Sequence, residues 1–320
     1  MNQPLDRVFA LEAVRVTEAA AIAAAAQIGR GDKHTADLVA VEAMRHAFSI
    51  LAIDGTVVIG EGEMDEAPML YIGERVGHGG VAVDIAVDPL EGTNLTAKAL
   101  PNAMAVLAMA EPGTLLNAPD MYMDKIAIGG GYPEGIIDLD ADPMQNILSL
   151  ARAKDVSPSE ITACVLDRPR HATIIEKVRA AGAAVHLISD GDVSGVIATT
   201  DPTTGIDIYL GSGGAPEGVL AAAALRCVGG QMQARLDFQT DEERVRAGRM
   251  GISDLARKYS LTDLASGDVI FAATGVTDGS MMAGVHRHRD HVMTDSVVMR
   301  SATRTVRWVK GRHEHDIGPR

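Results

Sequence analysis

The chain has 320 residues, 47% of them hydrophobic but only 3% aromatic, with 33 glycines and a formal net charge of -14. That length permits a large core and two lobes, and the composition is that of a globular α/β protein packed with Ala, Val, Ile and Leu. The charge argues against a nucleic-acid surface, and any small anionic substrate must be met by metal ions or a focused Arg/Lys site.

Charges interrupt every apolar stretch before it reaches membrane-spanning length, and Asp6, Arg7, Glu12 and Arg15 make the amino terminus unlike a signal peptide. Cys164 and Cys227 offer neither a disulfide framework nor metal-type spacing, so a cytoplasmic location is expected and both read as small buried apolar residues.

Apolar residues at helical spacing predict an amphipathic helix over Leu5 to Ile28, stopped by Gly29. The Gly-rich GRGDKHTAD follows, and Thr35 or Asp37 is expected to begin a helix over Ala36 to Leu51. That puts Asp37 at a helix start, where an acid also serves as an ordinary first-turn residue. A short strand over Thr56 to Ile59 runs into Gly60-Glu61-Gly62-Glu63, two acids that core packing does not explain.

Strand then acid recurs in VAVDIAVDPLEGTN. Val81, Val83, Ile85 and Val87 read as a buried strand that should stop at Asp88, because Pro89 has no N–H for the ladder. Across a Pro-initiated turn, Asp88 and Glu91 come within about 7 Å and can face one ion. Oxygen ligands at that spacing suit a hard divalent cation. Gly92 leaves room for close approach, and the Thr93 hydroxyl is placed to cap a helix over Asn94 to Leu100, ended by Pro101.

Ala103 to Met109 reads as a strand, and Leu115 to Asp124 as a loop carrying Tyr122 before a strand at Lys125 to Ile128. From Met144 the pattern is helix to Lys154, strand Ile161 to Leu166, helix Ala172 to Ala181 and strand Ala184 to Ile188. It continues as helix Val193 to Thr199, strand Ile206 to Gly211 and helix Pro216 to Cys227. Such alternation implies a sheet with helices on its faces and ligands at strand carboxyl ends. Those ends carry Arg168-Pro-Arg170-His171, Asp190-Gly191-Asp192 and Gly211-Ser-Gly-Gly214-Ala-Pro-Glu217. Arg244 to Lys258 reads as a charged helix, and strands are expected near Val269 to Ala273, Ser296 to Arg300 and Thr305 to Val309.

Three motifs mislead. Asp190-Gly-Asp192-Val-Ser194 starts like a calcium loop, but its twelfth position is Asp201 and a strand precedes it. Gly211 to Gly214 meets neither nucleotide fingerprint. His286, His288 and His291 sit among Arg287, Arg289 and Asp290, as solvated loop residues do.

Taken in order, GDKHTAD, GEGEMDEAPML, VDIAVDPLEGT, NAPDMYMDK, RPRH, DGD and GGAPEG resemble the class II fructose-1,6-bisphosphatases of bacteria, within the lithium-sensitive phosphatase superfamily of the inositol monophosphatases. The resemblance implies a layered αβαβα sugar-phosphatase fold with mixed sheets in two closely packed lobes, divided here as residues 1–155 and 156–320. It implies release of the 1-phosphate of fructose 1,6-bisphosphate with two or more Mn2+ or Mg2+ ions, in a homodimer or homotetramer with no nucleic-acid or membrane partner. The implied metal ligands are Asp37, Glu61, Asp88, Glu91 and Glu217. The implied substrate contacts are Glu91, Gly92, Thr93, Tyr122, Arg170, His171, Ala172, Asp190, Gly191, Asp192 and Gly214, with Thr93, Glu91 and Glu217 catalytic. Ala172 departs from the polar residue many members carry there, which removes a side-chain contact. The alternatives are a sedoheptulose-1,7-bisphosphatase or dual-specificity enzyme, an inositol or nucleotide 3'-phosphatase, and a non-catalytic sugar-phosphate sensor.

Overall fold

The computed structural model describes residues 5, 7–62 and 69–314, so Glu63 lies outside the described residues. In chain order the elements are α1 (Phe9–Ala25), α2 (Lys33–Ser49), β1 (Ile53–Ile59), β2 (Arg75–Val76), β3 (Val81–Glu91), α3 (Thr93–Ala97) and β4 (Met104–Ala110). Next come β5 (Tyr122–Ile128), α4 (Pro143–Lys154), β6 (Thr162–Leu166), α5 (Ala172–Ala180), β7 (Ala184–Ile188), α6 (Asp192–Ala198), β8 (Ile208–Gly214) and α7 (Ala215–Val228). The chain ends with β9 (Gln231–Asp237), α8 (Asp241–Arg249), β10 (Tyr259–Ser260), α9 (Leu261–Leu264), β11 (Val269–Gly275), β12 (His286–Arg287), β13 (His291–Arg300) and β14 (Thr305–Glu314).

These elements form an α/β fold with two mixed sheets in two compact units, residues 1–113 with 268–320, and residues 114–267. The units are cut differently from the 1–155 and 156–320 division because β11 and β13 return to the first sheet. That sheet runs β12-β13-β11-β4-β3-β1-β2 with β14 on β13, and β11 pairs β4 along its whole length. Among the described residues of this sheet, β1 and β3 pair parallel and the other neighbours antiparallel. Its core face, with Ile85, Val87, Leu107, Met109, Ile270 and Val298, packs on Ala13, Ala20, Met44 and Phe48 of α1 and α2. Small alanines let α1 lie close to the strands, which is how a chain so poor in aromatics still fills its interior.

The second unit's sheet runs β10-β9-β5-β8-β6-β7, with β8, β6 and β7 parallel and β5 antiparallel to both neighbours. One face carries Ile126, Ile128, Val165, Ile208 and Leu210 against Ile147, Leu150 and Val178 of α4 and α5. On the other, Gly195 of α6 meets Cys164 and Tyr209, and Gly218 of α7 meets Met123 and Lys125. Among the described residues no helix is long and apolar enough to cross a membrane.

Several element ends differ from the sequence pattern for local reasons. The first helix covers Phe9–Ala25, short of Leu5 and Ile28. The second starts at Lys33, because the Asp32 carboxylate accepts from the His34 and Thr35 N–H groups at 3.1 and 3.0 Å; neither Thr35 nor Asp37 is the cap. Strand β5 begins at Tyr122 rather than Lys125, since it pairs on both sides with β8 and β9. The charged helix is α8, opened by a Thr240/Glu243 capping box and over by Met250, and residues to Lys258 do not continue it. His286 and His291 belong to short and long strands rather than to a loop.

Candidate active site

Strand β3 does not stop at Asp88. It runs to Glu91, with Asp88 opposite Val106 and Glu91 opposite Met104, so one extra residue is accommodated as a bulge. The bulge tolerates Pro89 where a regular ladder would not, and the Leu90 N–H donates to Asp88 Oδ1 at 3.0 Å. The bulge, rather than a Pro turn, brings Asp88 and Glu91 together. Each offers a carboxylate oxygen within 4.8 Å of the other's, a separation one divalent cation can bridge. Glu91 is 4% exposed and Asp88 half-buried. Gly92 then adopts φ 85° and starts α3; Thr93 is the first helical residue, not its cap.

Asp37 is the fifth residue of α2 and half-buried. Burial raises its pKa, opposed by His34. Glu61 is half-buried just beyond β1, its N–H donating to the Leu70 carbonyl at 3.0 Å. Neither lies within the 4.8 Å span of both Asp88 and Glu91.

In the second unit, β8 feeds α7 through Gly213 and Gly214, and Glu217 occupies the first turn. Its Oε2 is buried with no hydrogen-bond partner. Burial first, then the Asp192 charge, pushes the Glu217 carboxyl up to about 7, with Lys125 opposing. A carboxylate held dry and short of a donor is a fit receptor for a cation.

Lys125 is a functional candidate that the sequence reading passed over. It is buried in β5, ion-paired with Asp192, and donates to the Gly214 carbonyl at 2.7 Å. The signal was present: a lysine inside the otherwise apolar KIAI strand needs a buried partner. Gly213 and Gly214 make room, because a Cβ on the first would collide with the Asp192 carboxylate and on the second with that of Glu217. Asp192 is therefore buried and its carboxylate committed, while Asp190 is half-buried before Gly191, whose φ of 84° opens α6.

Arg170 and Tyr122 meet in the same unit, with the guanidinium carbon 4.7 Å from the ring centroid. Arg170 Nη2 donates to the Ser212 carbonyl at 2.7 Å, which leaves most of its five donors for a ligand. The ring of His171, 1% exposed, has no such freedom. Nδ1 bonds the Leu166 carbonyl at 2.7 Å and Nε2 accepts from the Ser212 N–H at 2.8 Å, which fixes a neutral tautomer, and burial lowers its pKa. His171 thus clamps β6 to β8 and can offer a ligand only its main chain. Ala172 is exposed at the start of α5.

Comparison with known proteins follows the same lines. The family described as bacterial fructose-1,6-bisphosphatase, glpX-encoded, matches residues 7–313. A fructose-1,6-bisphosphatase 1 class 2 of Escherichia coli K12 is 46% identical over 328 aligned positions, covering 98% of this chain and 97% of the relative. A fructose-1,6-bisphosphatase class 2 of Shigella flexneri is equally similar, at 46% identity over 98% of this chain and 97% of its own.

Proposed function

The chain belongs to the bacterial fructose-1,6-bisphosphatase family, and from that premise we propose that it hydrolyses the 1-phosphate of fructose 1,6-bisphosphate in the cytoplasm, as a homodimer or homotetramer. The observation that carries the reading is the Asp88/Glu91 pair at the β3 bulge, two carboxylates turned to one point beside the Gly92-Thr93 helix start. Phosphate monoesters hydrolyse so slowly in water that a catalyst must position a water and neutralise phosphoryl charge.

Asp88 and Glu91, joined by Glu217 and by Asp37 and Glu61, would hold Mn2+ or Mg2+. When bound, such cations supply positive charge at the phosphoryl oxygens, which a chain of net charge -14 lacks. Thr93 orients the attacking water and donates to the phosphate, with the main-chain groups after Gly92 beside it. Arg170, steadied by the Tyr122 ring and the Ser212 carbonyl, pairs with the distal phosphate as a planar fork. Asp190 accepts from sugar hydroxyls. Asp192 and Gly214 act through Lys125, which holds the turn before α7 against α6. The main chain of His171 to Ala172 and of Gly191 borders the sugar.

The test is phosphate release from fructose 1,6-bisphosphate, sedoheptulose 1,7-bisphosphate, inositol phosphate and adenosine 3',5'-bisphosphate, each with Mg2+, Mn2+ or a chelator. Fastest turnover of the first, lost on chelation, is expected. Turnover indifferent to chelator would overturn every metal role.

A further inference from the structure

Among the described residues four strands end a sheet path, and β14 ends the branch from β13. Exposed edges invite pairing, and most of these carry a device against it. β2, β10 and β12 are two residues long, and β14 bears Arg307, Lys310, Arg312 and Glu314. β7 has neither protection. Its five residues, Ala184-Val185-His186-Leu187-Ile188, include no proline, no acid, no lysine or arginine, and each is exposed or half-buried. Leu187 is 40% exposed although it shares a sheet face with Val185, which packs on the unit's apolar core.

Hydrogen-bond direction says what this edge can accept. The Ala184 N–H donates to the Ile161 carbonyl at 2.9 Å and the Asp167 N–H to the Ile188 carbonyl at 2.8 Å. Main-chain groups of Ala184, His186 and Ile188 therefore turn toward β6, and those of Val185 and Leu187 turn outward. We propose that β7 is an interface between two copies of this chain, pairing antiparallel with the partner's β7 about a twofold axis through His186. Val185 then lies opposite the partner's Leu187 and Leu187 opposite the partner's Val185, so the outward donors and acceptors all pair, with four hydrogen bonds across the axis. The four apolar side chains fall together as a patch on one sheet face, two from each strand, that continues the core on both sides. A twofold contact must complement itself, and an uncharged A-V-H-L-I edge does so, whereas antiparallel self-pairing along β14 would bring its many cations together. The inference rests on the homo-oligomer reading above and is independent of the catalytic one.

The axis gives a positive test. Directly opposed residues in a non-hydrogen-bonded antiparallel pair have Cα atoms about 4.5 Å apart, within disulfide reach. His186→Cys, in a Cys164→Ala background because Cys164 of β6 lies directly beside position 186 in the β6–β7 ladder, should give a covalent dimer under mild oxidation on a non-reducing gel. The remaining Cys227 is buried. Leu187→Lys should halve the particle mass, or reduce a tetramer to dimers, by light scattering, with an unchanged circular dichroism spectrum. A monomeric wild type overturns the oligomer reading. An oligomeric wild type with no cross-link and no mass change in Leu187→Lys overturns only the β7 contact.

Discussion

Lys125 and Asp192 form a buried ion pair in the second unit, their side chains 1% and 7% exposed, and a third party, the Gly214 carbonyl, takes another ammonium hydrogen at 2.7 Å. Removing one charge strands the other. Asp192→Ala should cost about 3–5 kcal/mol in urea unfolding, while Lys125→Met combined with Asp192→Leu should recover much of that loss. A double variant no more stable than Asp192→Ala would show that the pair is not the cause.

Phosphate release should depend on Glu91 and Glu217 far more than stability does. Glu91→Gln and Glu217→Gln keep shape and remove a charge, so folded variants should lose turnover by roughly 100-fold or more and bind Mn2+ more weakly in calorimetric titration. Near-normal turnover in either variant removes that residue from the mechanism.

A different prediction concerns acid. Burial depresses the His171 pKa, so below the ordinary histidine value of about 6.5 the unfolded chain binds a proton that the folded chain refuses. Its contribution to stability is present above that value and is lost as pH falls toward the lower folded value. His171→Gln should lower stability at pH 8 by about 1–3 kcal/mol, since it disturbs bonds to Leu166 and Ser212, yet flatten the fall in melting temperature between pH 7 and pH 5. An equally steep fall in the variant would assign the acid sensitivity elsewhere.

Gly214→Ala isolates a steric requirement. At φ -62° and ψ 145° the backbone suits any residue, so only the added methyl matters, and it would strike the Glu217 carboxylate. We expect a stability loss of about 1–3 kcal/mol and a larger proportional loss of turnover than of secondary structure by circular dichroism. Gly213→Ala should instead disturb the Asp192 carboxylate.

Much of this molecule is legible along the chain because its strands and helices announce themselves by local pattern. β7 is expected at Ala184 to Ile188 and found there, and α4 and α7 end within a residue of expectation. What escapes is set by partners distant in sequence. Pro89 ends a strand by local rule, yet opposite Val106 and Met104 the strand bulges and proceeds. Tyr122 reads as loop until β8 and β9 supply ladders on both sides. Asp32 takes the cap from Thr35 by two hydrogen bonds that composition alone does not rank. In the site, the acids at 88 and 91 are visible as spacing, whereas the lysine at 125 acquires meaning only through Asp192.

The insertion of residues 114–267 between β4 and β11 carries a temporal corollary. As the chain leaves the ribosome, the inserted unit is continuous and can close its own sheet, while β4 waits for its neighbour β11 until residue 269 has been made. The unit that flanks the insertion is thus completed after the inserted one, and α1 gains its seat on β11 only once residues 269–275 have been made.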